Sequence, residues 1–207
     1  MLLWRINIPC MEDIVTDKTD LRVIKTKINI RRVFIELLYK KNFEKISVQD
    51  ILDAAMINRS TFYKYYDSKY DLAQKLIDEV RQDTIDFINE RFGKRQSDCL
   101  FVIVQRIYEH FYARRQMILA LLKIKTDEID LSDMLQHMLK EKYLAHVQML
   151  NPSGDASLAD YHATIYAAFV LTTFKWLLAS DDKEDIEKVT HDLQHMFFSR
   201  LFCQIEP

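Results

Sequence analysis

Glycine and proline are almost missing from this sequence of 207 residues, which holds two glycines and three prolines. None of these five residues lies between Met11 and Phe92. Because β-sheets need turn residues at short intervals whereas helices do not, this scarcity argues against a β-rich chain. The sequence therefore predicts an all-α fold.

Cysteine is also scarce, and the three cysteines stand far apart at positions 10, 99 and 203. An odd, dispersed set fits reduced thiols better than the disulfide framework of an exported protein. The longest run without a formal charge, Tyr161 to Phe174, is shorter than the ~20 apolar residues that span a bilayer. We expect a cytoplasmic protein that does not enter a membrane.

The parts of common enzyme sites are absent from the sequence. It has no glycine-rich phosphate loop, no nucleophile elbow and no dense cluster of Asp, Glu and His. His191 and His195 stand four residues apart, a spacing that can chelate a metal, but helical pairs of this kind are more often surface or interface residues. We expect no enzyme activity, no cofactor and no metal.

Positive charge is concentrated near the N-terminus although the net charge of the chain is −2. Residues 22–69 hold eleven lysines and arginines against five acids, whereas residues 70–207 hold sixteen against twenty-two. An uneven distribution of this kind indicates two functional parts, of which the basic one suits a polyanion.

Apolar residues recur at helical spacing from position 23 onwards, and the pattern predicts nine helices. The expected helices cover about 23–41, 48–55, 59–65, 69–92, 97–112, 116–123, 132–150, 158–179 and 184–203. Residues 1–20 lack periodicity and are interpreted as a tail, 21–68 as a three-helix domain, and 69–207 as a helical C-terminal domain.

Several helix starts carry capping residues. Ser47 to Asp50 and Ser68 to Asp71 have the spacing of capping boxes, and Asn58 is placed to cap the third helix. Asn42 is expected to end the first helix in the left-handed conformation.

The second and third predicted helices are short and joined by a turn of three to four residues, which is typical of a helix-turn-helix unit. An outward third helix with Arg59, Ser60, Lys64 and nearby tyrosines would offer the donors that a DNA major groove and its phosphates accept. Tyrosines alone are at least as often ordinary packing, but the caps, the turn length and the basic segment together favour nucleic-acid binding. Lys69 stands in the first turn of helix four, where the helix dipole disfavours a cation unless an anion binds there.

The run SVQDILDAAMINRSTFYKYYDSKYDL, Ser47 to Leu72, resembles the DNA-binding domain of the TetR family of bacterial regulators. The DLRVIKTK lead-in and the INRSTFY core are similar to the subgroup of regulators associated with dihydroxyacetone kinase. Two positions depart from the family pattern, because Met56 and Asn42 stand where the family commonly has glycine. The turn at Met56 must therefore avoid a left-handed residue or bear strain.

The resemblance implies a ligand-responsive regulator, expected to be a repressor, that binds a pseudo-palindromic double-stranded DNA operator as a homodimer. It also implies the DNA contacts. Tyr63 and Lys69 would clamp the phosphate backbone with help from Tyr65 and Thr61, and Arg59, Ser60 and Lys64 would face base edges. The remaining expected contacts are Thr26 and Lys27 at the start of helix one, and Ser47.

In the C-terminal domain the resemblance implies a dimer interface and a small-molecule effector site. The expected interface residues are Ile165, Trp176, Leu193, Phe197 and Leu201. The candidate effector residues are Tyr108, Phe111, Tyr112, Tyr143, His146 and Phe169, although a plain packed core is the more common role for any one of them. The alternative function is a TetR-like co-activator or adaptor that works mainly through a protein partner.

Overall fold

The protein was analysed as a computed structural model that describes residues 21–93, 100–150, 152, 155–180 and 188. These residues form eight α-helices: α1 Leu21–Lys40, α2 Val48–Ala55, α3 Arg59–Tyr63, α4 Lys69–Gly93, α5 Leu100–Phe111, α6 Arg115–Leu121, α7 Leu131–Leu150 and α8 Ala156–Ala179. Two short 3-10 turns cover Phe43–Lys45 and Tyr112–Arg114. No strand occurs in the described ranges, which confirms the all-α prediction; the expected tail and the ninth helix, 184–203, lie outside them.

The chain divides into two compact units. The first contains the described residues up to Asp86 together with Gln116–Met134, and the second contains Phe87–Arg115 and the described residues from Leu135 onwards. The contacts thus group the first part of α4 and the α6–α7 segment with the N-terminal helices. A functional boundary at residue 68 stays a prediction.

Helices α1 to α4 of the first unit pack around a shared apolar core. Ile30 and Phe34 of α1 are completely buried, as are Ile51 of α2, Phe62 of α3 and Leu72 of α4. The Asn29 side chain adds a polar contact, because its amide nitrogen donates to the last carbonyl of α2, at Ala55, over 2.8 Å.

Ser47 begins α2 with the capping box that the sequence predicted. Its hydroxyl accepts from the backbone N–H of Asp50, and the Asp50 carboxylate accepts from the backbone N–H of Ser47 over 2.8 Å. The Lys41 ammonium donates to the same carboxylate over 2.7 Å. These hydrogen bonds lower the pKa of Asp50 to about 2. The bond from Lys41 has the largest effect, and the bonds from Ser47 follow.

The other predicted caps form only in part. The Ser68 hydroxyl accepts from the Asp71 N–H over 3.1 Å, but the Asp71 carboxylate accepts from the N–H of Asp67 instead of completing a box. Asn58 stands at the N-cap of α3 without a side-chain bond. The left-handed prediction for Asn42 is wrong: its φ of −61° and ψ of 146° are extended, because it leads directly into the turn Phe43–Lys45.

The turn between α2 and α3 is strained at Met56. Its φ of 52° and ψ of 48° are left-handed, a conformation that no other non-glycine residue shares in the described ranges. Two bonds close the end of α2, from the Met56 N–H to Asp53 O over 3.3 Å and from the Ile57 N–H to Leu52 O over 3.1 Å. This is the Schellman arrangement, which usually has glycine at its left-handed position. The turn therefore keeps the geometry expected of glycine and bears the strain of a side chain.

The second unit has an aromatic interior. The Phe111 ring lies 5.2 Å from that of Phe174 on α8 and 5.9 Å from that of Phe87, measured between centroids. Asp155 begins α8, since its carboxylate accepts from the N–H groups of Ser157 and Leu158. The buried side of α8 comprises Ala163, Ala167, Leu171, Phe174, Leu177 and Leu178.

Replacing Met56 by glycine is expected to stabilise the protein by about 0.5–1 kcal/mol. The ~1–2 kcal/mol cost of a left-handed non-glycine residue exceeds the ~0.5–1 kcal/mol entropic penalty of glycine. Little packing is lost, because Met56 is 91% exposed. Urea unfolding should show a higher midpoint at an unchanged slope. Met56→Ala is the matched control, and a glycine variant no more stable than the alanine variant would contradict the strain.

Asp50→Asn tests the ionised capping box through pH. A carboxyl with a lowered pKa stabilises the fold fully above its unfolded value of about 3.8, and this contribution disappears as the pH falls towards about 2. The variant should therefore melt below the wild type at neutral pH, and the two melting temperatures should converge between about pH 4 and pH 2. A gap between the melting temperatures that stays constant over that range would rule out an ionic contribution.

Candidate DNA-binding surface

One side of helix α3 is buried in the core of the first unit, and the opposite side is exposed to solvent. Phe62 is completely buried and Tyr66, just beyond the helix, is 3% exposed. Arg59, Ser60 and Lys64 are exposed, Tyr63 is 42% exposed, and Thr61 and Tyr65 are half-buried. Phe62 and Tyr66 thus belong to the core, whereas Arg59, Ser60 and Lys64 point outward, as the sequence predicted for the third helix.

Cations and tyrosine rings alternate along this outer side. The Arg59 guanidinium lies 5.5 Å from the centroid of the Tyr63 ring. The Tyr65 ring lies near two ammonium groups, 5.5 Å from that of Lys27 on α1 and 5.8 Å from that of Lys64. These distances are in the range of cation–π attraction. We call Lys27, Lys64 and Tyr65 the Tyr65 patch.

The Tyr65 patch unites residues that the sequence assigned separately to helix one and to the third helix. Its neighbour Thr26 donates its hydroxyl to the Arg22 carbonyl over 2.7 Å, one turn back along α1. Two positive charges beside one phenol form a surface suited to a phosphate, which accepts from ammonium and hydroxyl donors alike. Ser47 lies elsewhere, at the start of α2, with its hydroxyl in the capping box.

Helix α4 holds the end of α3 through polar bonds that the sequence did not signal. The Lys75 ammonium donates to the Tyr65 carbonyl over 3.1 Å and to the Asp71 carboxylate over 2.8 Å. The Arg31 guanidinium donates to the Glu79 carboxylate over 2.7 and 3.2 Å. Its Nε also donates to the Tyr66 hydroxyl over 3.3 Å. Apart from the Lys75–Asp71 pair, the partners are 10 to 48 residues apart, so a local sequence pattern does not reveal them.

Lys69 has protein partners where the sequence suggested a phosphate. Its ammonium donates to the carbonyl oxygens of Phe43, Glu44 and Ile46 over 2.9, 3.0 and 2.7 Å. The rings of Phe43 and Tyr70 lie 4.8 and 5.4 Å from the ammonium. Burial lowers the pKa of Lys69, although the charges of Glu44 and Asp50 oppose the shift.

The predicted effector residues fall into separate groups within the second unit. Tyr108 and Phe111 are buried; Tyr112 lies 4.3 Å from Tyr108 between ring centroids, and both pack with Leu177. Tyr143 stacks on Tyr166 at 4.7 Å, and burial raises the pKa of Tyr143. The two remaining candidates, His146 and Phe169, are half-buried.

The predicted interface and metal residues lie partly beyond the described ranges. Ile165 and Trp176 are 48% and 39% exposed on α8. The residues outside the described ranges are Leu193, Phe197, Leu201, His191 and His195. Among the side chains that are described, no three His, Cys, Asp or Glu groups are gathered as a metal site would require. The helices in these ranges include none with the length and apolarity to cross a membrane.

Comparison with known proteins adds the family. Residues 31–76 match the family described as bacterial regulatory proteins, tetR family. A 70-residue stretch is 31% identical to the uncharacterized HTH-type transcriptional regulator YxbF of Bacillus subtilis (strain 168), covering 33% of this chain and only 18% of that protein. The chain thus spans about a fifth of that relative.

Two solved structures are similar over most of the chain. A TetR transcriptional regulator from Streptococcus agalactiae 2603V shares 23% identity with a TM-score of 0.48, covering 84% of this chain and 96% of the other. The dihydroxyacetone kinase operon activator DhaS shares 16% identity with a TM-score of 0.42, covering 87% and 98%. The match at residues 31–76, which takes in α2, the turn, α3 and the start of α4, shows that this segment is a helix-turn-helix unit of the tetR type.

Proposed function

We propose that the protein is a ligand-responsive repressor that binds a pseudo-palindromic operator in the cytoplasm as a homodimer. The observation that carries the DNA-binding part is the outer side of α3, where exposed cations alternate with tyrosine rings over a buried Phe62. A recognition helix that enters the major groove has cationic and hydroxyl donors on its exposed side and is held in place by its buried side.

The roles divide along α3. Arg59 and Ser60 stand exposed in its first turn, and the N-terminal residues of a recognition helix are those that contact base edges. Tyr63 is exposed enough for its hydroxyl to reach a phosphate, with Thr61 beside it. Lys64 was expected to face base edges, but its place in the Tyr65 patch beside Lys27 favours a shared phosphate.

The dimer would form through α8. Its exposed apolar residues, Leu158, Tyr161, Ile165 and Trp176, are separated by three, four and eleven positions and so lie on one side of the helix. The opposite side is buried in the second unit. An apolar stripe of this kind on the surface marks a partner, and a second copy pairing about a two-fold axis would place two recognition helices on one operator.

The effector would enter the second unit among its aromatic side chains. Tyr108 and Tyr112 pack with Leu177, and the Phe111 ring packs against that of Phe174 on the same helix. Apolar walls with a few hydroxyl groups suit a small molecule that is itself largely apolar. We propose repression rather than activation because the family resemblance implies a repressor.

The DNA contacts predict two different mutational signatures. An operator would first be selected with the wild-type protein from a pool of randomised duplexes, and affinities then measured by fluorescence anisotropy. Arg59→Ala should lose about 1–3 kcal/mol of discrimination at one base pair. Lys27→Met should weaken binding to every duplex and reduce the salt slope by about 1, because one phosphate contact is lost.

Lys125→Met is the matched control for charge. Lys125 is exposed between α6 and α7 and belongs to neither α3 nor the Tyr65 patch. Its substitution should leave the slope and the discrimination as in the wild type. Selection that enriches no sequence from the pool would overturn the proposed function.

Ile165→Glu is expected to separate the dimer. An unpaired charge buried in an interface costs about 2–5 kcal/mol, which raises the dissociation constant by at least ~30-fold. Sedimentation at micromolar protein should show a dimer for the wild type and a monomer for the variant. Ala54→Glu, at an exposed position of α2, controls for added charge. A monomeric wild type, or a dimeric variant, would remove α8 from the interface.

A further inference from the structure

Three backbone carbonyls converge on one side chain at the base of the helix-turn-helix unit. The oxygens of Phe43, Glu44 and Ile46 each lie within 3.0 Å of the Lys69 ammonium. These residues connect α1 to α2, and the next residue along the chain is Ser47, the N-cap of α2. Lys69 is the first residue of α4. One ammonium therefore links the starts of two helices.

The local backbone explains why the carbonyls converge. The N–H groups of Lys45 and Ile46 donate back to Asn42 and Phe43 over 3.0 and 3.1 Å, which winds the connection into a 3-10 turn. The carbonyls at the end of such a turn carry partial negative charge, and the Phe43 carbonyl accepts from both the Ile46 N–H and the Lys69 ammonium. A cation at that end is favoured. These contacts offset the unfavourable position of Lys69 at the start of α4.

The ammonium has no donor left for DNA. A lysine side chain carries three N–H donors, and three carbonyls accept here. The Phe43 and Tyr70 rings, 5.0 Å apart and nearly perpendicular, flank the same ammonium. A phosphate could bind only after a carbonyl had been released, which leaves a polar group without its partner.

We propose that Lys69 is a positioning residue for DNA recognition, which sets the start of α2 against the start of α4 and contacts no phosphate. The inference rests on the proposed function in one respect, that the helix-turn-helix unit docks on duplex DNA. It replaces the backbone clamp expected from the sequence with an action through the carbonyls of residues 43, 44 and 46.

Arginine distinguishes the two roles. A clamp tolerates Lys69→Arg, because guanidinium binds phosphate at least as well as ammonium. A planar fork cannot direct three N–H bonds at carbonyls that converge on one point, so the positioning role does not tolerate it. Lys69→Met removes charge and donors together. Lys27→Met, an expected phosphate contact, is the positive control for the salt slope.

The measurements are the duplex affinity at several salt concentrations, at a temperature where circular dichroism shows each variant folded. We expect both Lys69 variants to bind the selected duplex about tenfold more weakly with an unchanged salt slope, whereas Lys27→Met lowers the slope by about 1. A slope lowered by Lys69→Met, together with wild-type affinity for Lys69→Arg, would overturn the proposal in favour of a clamp. Unchanged affinity in both variants would also overturn the proposal, because Lys69 would then contribute to the fold without affecting DNA recognition.

Two further readouts keep the inference separate from the proposed function and from misfolding. Lys69→Arg should melt several degrees below the wild type, and a wild-type melting temperature would overturn the carbonyl contacts even if no duplex is bound by any form of the protein. In the wild type, the nitrogen resonance of the Lys69 ammonium should stay in place when the selected duplex is added. A shift of that resonance on binding would show a phosphate contact and contradict the proposal.

Discussion

The burial of one ring, Phe62, is the interaction on which the DNA-binding unit depends. Helix α3 has five residues, too few to be stable by its own hydrogen bonds. It exists because Phe62 is inserted completely into the core, with the Tyr66 ring 5.7 Å away. Since a helix has a period of 3.6 residues, fixing Phe62 inside also fixes which residues point outward. The exposed cationic side of α3 is thus a geometric consequence of a core contact.

Helix α4 supplies the second constraint, and it does so with polar groups. The Lys69 ammonium donates to carbonyls of the connection before α2, and the Lys75 ammonium donates to the carbonyl of Tyr65 at the end of α3. The Glu79 carboxylate accepts from Arg31 of α1. Apolar packing alone resists the sliding of one helix along another only weakly. Directional hydrogen bonds at three places specify one arrangement of the helices. The first part of α4 therefore belongs to the same compact unit as the helices that it holds in place.

The sequence predicted the parts of this structure whose cause is local. Helical periodicity, the Ser47 cap and the outward cations of the third helix each follow from residues within a few positions of one another, and each is present. The Asn42 prediction failed because a short 3-10 turn, stabilised by a side chain 27 positions away, replaced the expected helix end. The partners of Lys69 and Arg31 are set by tertiary packing, which no spacing rule encodes. The sequence showed that Lys69 is unusually placed at a helix start, but its carbonyl partners could be identified only from the fold.

The left-handed turn at Met56 also bears on how such a regulator can change. With the base contacts proposed for α3, a change of DNA sequence preference requires substitutions in that helix, and most substitutions destabilise a protein. Because the turn next to α3 is held in a conformation that glycine adopts without cost, a single change at position 56 can offset part of that loss. Relief of this strain would therefore supply stability next to α3, the helix in which such substitutions would fall.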